Sequence, residues 1–136
     1  MSLRRPARAL AVIAMAITAV AVFAAPAQAG TDATVYPFVN PGGGVVTFQD
    51  NGDVVTVCDT DADGKRAAVY VYQYNPGVGW LPTYRTYAAG NGNCTTRSAS
   101  DGYPYNLAEG EYYKIKICLG TTETGNPTCN WANVYA

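Results

Sequence analysis

The sequence predicts an all-β protein: a small two-sheet antiparallel β-sandwich of about seven strands and immunoglobulin-like size, with two disulfides. Three observations lead to this prediction. Beyond the first 29 residues, short runs of Val, Tyr, Thr and Ile alternate with clusters of Gly, Asn, Asp and Pro, which is the pattern of strands and turns. No amphipathic stretch with the 3.6-residue period of a helix occurs there. Four cysteines in a chain of this length are typical of an exported, disulfide-bonded domain.

The first 29 residues have the features of a secretory signal peptide. Three arginines among the first eight residues precede an alanine-rich apolar run over 9–25, and Ala27-Gln28-Ala29 supplies small residues for cleavage. The run is too short and too rich in alanine to be a convincing membrane span. We therefore expect cleavage before Gly30 and a single secreted, extracellular domain over 30–136, without membrane attachment.

Each of the seven strands is predicted from a β-prone run bounded by turn-forming residues. They lie near Ala33–Phe38, Val45–Asp50, Asp53–Asp59, Arg66–Tyr74, Trp80–Tyr87, Glu111–Leu119 and Cys129–Tyr135.

The turns between these strands have their own signals. Asn51-Gly52, between the second and third strands, is typical of a two-residue type I′ hairpin, because both residues accept positive φ angles. Asp61-Ala62-Asp63-Gly64 closes the next hairpin by similar chemistry. The stretch 88–106 is rich in Gly, Asn, Ser and Thr and is predicted to be a long loop.

Four cysteines, Cys58, Cys94, Cys118 and Cys129, allow three disulfide pairings. Cys118 and Cys129 lie on the two strands of the last predicted hairpin, which favours a bond between them. The second bond then joins Cys58 to Cys94. The chain has no Cys-x-x-Cys spacing, which disfavours a metal site as the alternative.

Three segments of the chain resemble a group of small secreted actinobacterial proteins, Streptomyces-like and of uncharacterised function. These segments are GDVVTVCDTDADG from Gly52 to Gly64, NLAEG from Asn106 to Gly110, and the closing cysteine hairpin that ends in Cys129-Asn130-Trp131. The resemblance implies a compact, disulfide-bonded β domain from a soil bacterium. It implies no activity.

Charge and residue composition exclude several function classes. The chain has 10 acidic and 9 basic side chains, and the predicted signal peptide contains three of the basic ones, so the remainder has a net charge of about −4. Scattered lysines and arginines do not form the basic footprint that a nucleic acid requires. The chain has no histidine, and the cysteines are assigned to disulfides, which removes the common nucleophilic arrangements. We therefore expect neither an enzyme nor a cofactor.

The acidic turn that begins at Asp59, DTDADG, copies the first six positions of a calcium-binding loop. Its twelfth position is Tyr70, which cannot supply the bidentate carboxylate, and strands rather than helices flank it. We expect a β-turn whose Asp side chains bond their own backbone. Asp59, Asp61 and Asp63 are kept as a weak calcium candidate.

Side-chain alternation predicts an aromatic outer surface. Tyr70, Tyr72 and Tyr74 share one face of a strand, while Val69 and Val71 share the other, which is the natural inside. On the last hairpin, Ile115 and Ile117 lie on the side of the strand that is predicted to be buried. A bond from Cys118 to Cys129 places Trp131 on the opposite face. The candidate binding surface therefore consists of Tyr70, Tyr72, Tyr74, Tyr112, Lys114, Lys116, Trp131 and Tyr135.

We expect a monomeric, secreted, non-catalytic binding protein whose Tyr and Trp surface contacts an extracellular protein or a polysaccharide. The competing interpretation is purely structural, because tyrosine rings often cover half-buried sheets in small β domains. Two alternative functions stay open: an inhibitor of an extracellular hydrolase, with a protruding loop such as 75–80, and a carbohydrate-binding module, with a flat aromatic face. Two-disulfide α-amylase inhibitors from streptomycetes are similar in size and compartment. Their Trp-Arg-Tyr triplet is not reproduced here by Trp80, Tyr84 and Arg85.

Overall fold

The structure is a computed structural model that describes residues 30–39 and 42–136; the predicted signal peptide lies outside the described residues. Its eight strands are β1 (Ala33–Val35), β2 (Gly44–Gln49), β3 (Val54–Asp59), β4 (Ala67–Asn75), β5 (Gly79–Ala88), β6 (Cys94–Arg97), β7 (Tyr112–Leu119) and β8 (Asn130–Tyr135). A 3-10 helix spans Ala99–Asp101. Within the described part of the chain, no helix has the length and apolar character needed to cross a membrane.

The strands form two antiparallel four-stranded sheets, so the predicted all-β sandwich is confirmed. The first sheet has the order β1-β2-β3-β6 and the second has the order β5-β4-β7-β8. Every second side chain of the central strands points into the core, because side chains alternate along a strand. The core includes Val46, Phe48, Val55, Val57, Val69, Val71, Ile115 and Ile117. The remaining side chains of the same strands form the two outer faces.

The β2–β3 hairpin has a longer turn than predicted. Gln49 and Val54 form the last strand pair, so four residues rather than two connect the strands. The positive φ angles are those of Gly52 (90°) and Asp53 (53°), whereas a type I′ turn requires them at Asn51 and Gly52. The predicted two-residue type I′ turn was therefore wrong: the turn has four residues, and its two positive φ angles lie one residue later than predicted. This shift directs the Asp53 side chain into the protein, where it is 1% exposed.

The stretch 88–106, predicted to be a loop, contains strand β6. This strand pairs with β3 from Cys58 opposite Cys94 to Val55 opposite Arg97. The four-residue strand is flanked by Gly, Asn and Ser and has no apolar alternation of its own. The loop prediction was wrong because β6 is defined by its pairing with β3 rather than by a local pattern.

Both predicted disulfides are present: Cys58–Cys94 and Cys118–Cys129. Cys58–Cys94 joins the paired strands β3 and β6, and Cys118–Cys129 joins β7 to the residue just before β8. The Cα separations are 4.0 Å and 4.1 Å, since directly opposite residues of antiparallel chain segments approach closely. The bonds attach β6 and the start of β8, which are edge strands, to their own sheets. Packing of the core, not a disulfide, therefore holds the two sheets together.

Candidate functional site

The outer face of the second sheet carries a row of four aromatic side chains, one from each strand. Tyr74 of β4 lies opposite Trp80 of β5, and Tyr112 of β7 lies opposite Tyr135 of β8. The rings of Tyr74 and Tyr112, on the two middle strands, have centroids 6.3 Å apart. Since neighbouring strands are about 4.8 Å apart, the row crosses the sheet over about 14 Å.

The rings in this row contact one another. The Trp80 and Tyr112 centroids are 5.6 Å apart and those of Tyr112 and Tyr135 are 4.8 Å apart, both in tilted arrangements. Tyr74 meets Trp80 edge-on at 5.3 Å. Aromatic pairs of this kind contribute about 0.5–1.5 kcal/mol beyond the area they bury. The contacts therefore hold the rings as a continuous surface before any ligand arrives.

Lys114 lies between two indole rings. Its ammonium nitrogen is 4.1 Å from the Trp80 ring centroid and 5.7 Å from that of Trp131. Both distances are within the range of cation–π attraction. Burial lowers the pKa of Lys114, and the neighbouring Lys116 lowers it further, while Glu123 acts in the opposite direction. Lys114 is thus a partly desolvated cation placed among aromatic rings.

Lys116 and Tyr72 both contact Glu123, which lies in the loop between β7 and β8. The Lys116 ammonium forms a 2.9 Å ion pair with a Glu123 carboxylate oxygen, and the Tyr72 hydroxyl donates a hydrogen bond to the same oxygen. Burial acts to raise the pKa of Glu123, but these two hydrogen bonds and the two lysines outweigh it, so that the pKa is lowered. Glu123 therefore compensates the charge of Lys116.

We call this region the aromatic face: Tyr72, Tyr74, Trp80, Tyr112, Lys114, Lys116, Trp131 and Tyr135. Trp131 is 50% exposed, Tyr74 40% and Tyr135 38%. A shallow depression of about 170 Å³ is lined by six residues: Tyr72, Trp80, Lys114, Lys116, Glu123 and Trp131. The face thus combines exposed rings, one ion pair and one unpaired cation around a small concavity.

Seven of the eight residues predicted for the binding surface lie on this face, and Tyr70 is the exception. Tyr70 has the predicted parity but is 8% exposed. It packs in a second apolar cluster with Ala68, Tyr72 and the Cys118–Cys129 disulfide. The prediction that Tyr70 belongs to an exposed ladder was wrong, because the disulfide on the outer face supplies apolar surface that covers its ring.

Sequence reasoning did not include Trp80 or Glu123 in the surface. Trp80 could have been found, because a hairpin turn over 75–79 that pairs β4 with β5 places it opposite Tyr74. Glu123 gave no local signal, since its position depends on how the loop between Leu119 and Asn130 folds back over the sheet.

The acidic turn 59–64 uses its carboxylates to bond backbone N–H groups. Asp59 is 1% exposed and accepts from the amides of Gly90 at 2.8 Å and Asp61 at 3.2 Å. Asp63 accepts from the Lys65 amide at 2.8 Å. Across residues 30–39 and 42–136, no three acidic side chains are arranged to hold a metal ion. This hydrogen bonding agrees with the interpretation of the segment as a turn.

A second polar cluster is buried beside β3, around Asp53. One carboxylate oxygen of Asp53 accepts the Leu107 amide at 2.8 Å. The other oxygen, like the buried Tyr84 hydroxyl, has no hydrogen-bond partner among the described residues. Burial raises the pKa of Asp53; the Leu107 hydrogen bond opposes this, and Glu109 and Asp50 add to it. Folding therefore shifts the titration of Asp53 to higher pH than in the unfolded chain.

Asp53→Asn is expected to stabilise the protein at neutral pH and to flatten the dependence of stability on pH. Because the pKa is raised on folding, the contribution of Asp53 to stability is fully present below its ordinary pKa and is lost as the pH rises through the folded-state value. Asn keeps an acceptor for the Leu107 amide, carries no charge and tolerates positive φ. Urea unfolding at pH 4 and pH 7 measures the effect.

The matched control is Asp53→Ala, which removes the acceptor and is expected to cost about 1–3 kcal/mol at both pH values. A loss of stability in Asp53→Asn at pH 7 comparable to that of the alanine variant would contradict the prediction.

The fold and the aromatic face together define the class of this protein: a small β-sandwich with a disulfide within each sheet and an aromatic outer surface. Comparison with family models, curated proteins and solved structures found no match to the chain.

Proposed function

We propose that this protein is a secreted, non-catalytic binding protein and that the aromatic face contacts its ligand. The observation that carries the proposal is the row of four aromatic residues, one from each strand, beside the half-exposed Trp131. The outward side of an antiparallel sheet ordinarily carries polar side chains. Because the opposite sides of both sheets already supply the core, the fold itself does not require rings on this surface.

The exposure of Trp131 argues against a purely structural role for the aromatic face. Trp131 is 50% exposed to solvent. Its indole ring lies 5.7 Å from the ammonium nitrogen of Lys114, measured to the ring centroid. Its contribution to stability is therefore small, whereas a half-exposed indole gains much by being covered. Contiguous apolar surface rimmed by polar groups is characteristic of interaction sites, and tryptophan is enriched among residues that dominate binding.

An extracellular location is part of the proposal. Two disulfides are compatible with an oxidising environment, and the predicted signal peptide supports export. The ligand is then an extracellular protein or a polysaccharide.

Inhibition of an extracellular hydrolase is a second candidate, favoured by the tip of the β4–β5 hairpin. Val78 is 71% exposed at this tip, two residues from Trp80. An exposed apolar side chain on a short turn beside an aromatic surface suits insertion into a partner's cleft. The two candidates differ in whether the flat face or the hairpin tip makes the main contact.

Trp131→Ala is expected to abolish ligand capture without unfolding the protein. Its indole is exposed and central to the candidate contact, so its loss removes binding area but little core packing. Capture of insoluble polysaccharides and of secreted proteins by the wild type and the variant, together with thermal unfolding of both, measures the two effects separately.

Tyr103→Ala is the matched control, because Tyr103 is 96% exposed in the loop that follows β6, outside the aromatic face. It is expected to retain capture. If Trp131→Ala captures the same ligands as the wild type, the aromatic face is not the binding surface. Loss of capture in Val78→Ser with retention in Trp131→Ala would favour the inhibitor function.

A further inference from the structure

We infer that the aromatic face binds an acidic polysaccharide, a chain of uronic-acid units whose carboxylates pair with Lys114 while their rings stack on Trp131 and Tyr135. This inference rests on the proposed function and specifies its ligand. It is carried by the charge of the face, by its flat shape and by the register of β7 with β8.

Lys114 is the uncompensated charge of the face. Lys116 is neutralised by Glu123 at 2.9 Å, whereas no carboxylate among the described residues lies within ion-pair distance of Lys114. Its partners are the rings of Trp80 and Trp131. This half-buried cation occurs in a chain with more acidic than basic residues. A ligand that complements this face therefore carries a negative charge for Lys114 and a surface on which aromatic rings can stack.

The strand register orders the contacts along β8. Lys114 lies opposite Asn133, which is midway between Trp131 and Tyr135 on the same strand. The three positions 131, 133 and 135 point to one side, and the outer two are about 13 Å apart at 3.3 Å per residue. One sugar ring cannot reach both aromatic residues. A linear chain along β8 places rings on Trp131 and Tyr135 and a carboxylate beside Lys114.

The shape of the face favours a polymer that lies on the surface. The depression of about 170 Å³ is smaller than the roughly 300–1,000 Å³ of pockets that enclose a small molecule. Sugar rings have apolar C–H faces and polar edges, which match aromatic planes bordered by the Tyr hydroxyls and the Asn133 amide. An extended peptide instead recognises unpaired backbone groups along a sheet edge, whereas the row of rings crosses the flat side of the sheet from β5 to β8.

Isothermal titration of the purified protein with sodium polygalacturonate tests the inference. Carboxyl-reduced polygalacturonate, a neutral polymer of the same linkage, and poly-L-glutamate, an acidic polymer without sugar rings, are the comparison ligands. Polygalacturonate is expected to bind at least about tenfold more tightly than either. Its binding is expected to weaken as salt is added, because salt screens exposed charges.

Lys114→Met, which keeps the length of the side chain and removes its charge, is expected to weaken polygalacturonate binding about tenfold. Lys65→Met, a lysine in the turn before β4 and away from the aromatic face, is expected to bind as the wild type does. Equal binding of the neutral polymer, with loss in Trp131→Ala, would overturn the assignment of an acidic ligand but leave the proposed binding function intact.

Equal binding of poly-L-glutamate would overturn the assignment of a sugar ligand. Binding of no polymer, with Trp131-dependent capture of a secreted protein, would overturn the inference and again leave the function intact. If neither a polymer nor a protein is captured through Trp131, the inference and the proposed function both fail.

Discussion

Removal of the Cys58–Cys94 disulfide, by replacing both cysteines with alanine, is expected to cost about 4 kcal/mol of unfolding free energy. The bond spans 36 residues of sequence, and a cross-link stabilises mainly by reducing the entropy of the unfolded chain, more so for a longer loop. For the 11-residue separation of Cys118–Cys129, the same relation gives about 3 kcal/mol. A domain of this size has a total stability of about 5–15 kcal/mol, so either loss is large.

Equilibrium urea unfolding of the wild type and the two double-alanine variants measures these costs. The variant without Cys118–Cys129 is expected to lose packing in addition, because Cys118 is fully buried against Tyr70. It is also expected to impair ligand capture, since this bond attaches the start of β8, which carries Trp131. A Cys58→Ala/Cys94→Ala variant within 1 kcal/mol of the wild type would contradict the entropic argument.

Phe48→Ala is expected to destabilise the protein by about 3–5 kcal/mol. Phe48 is 1% exposed, lies on β2 and belongs to the core between the sheets. Truncation leaves a cavity as well as losing the transfer free energy of the ring. The measurement is again urea unfolding, followed by intrinsic fluorescence.

Trp131→Ala is the matched comparison for Phe48→Ala, since it also truncates an aromatic residue on a sheet, but on its outer face. It is expected to cost less than about 1 kcal/mol. If both variants lose equal stability, the indole of Trp131 is part of the packed structure, and the assignment of the aromatic face as a binding surface is lost with it.

Much of the aromatic face follows from two local rules. Successive side chains of a strand point to opposite sides. Val69 and Val71 therefore lie on one side of the strand, and Tyr72 and Tyr74 lie on the other. The Cys118–Cys129 pair then sets the parity of β8 relative to β7 and brings Trp131 to the side of the lysines. Both rules require only residue type and spacing.

Other members of the site depend on contacts between distant segments. Tyr70 obeys the same parity as Tyr72, yet it is buried because a disulfide from another hairpin packs on it. Glu123 compensates Lys116 only because its loop folds back over the sheet. Neither the side-chain alternation nor the spacing of residues in the sequence predicts these contacts.

The sequence by itself determined the all-β class and the inward and outward sides of the central strands, because these depend on alternation and on turn-forming residues. Among three possible disulfide pairings it favoured the one that is present. Only the tertiary structure decided that Cys94–Arg97 is a strand, that Asp53 turns inward and that Trp80 completes the row across the sheet. Each of these depends on the partner strand or segment that lies alongside: β3 for β6, Leu107 for Asp53, and β4 for Trp80. Pairing and burial are properties of two segments together, so one segment's residues cannot specify them.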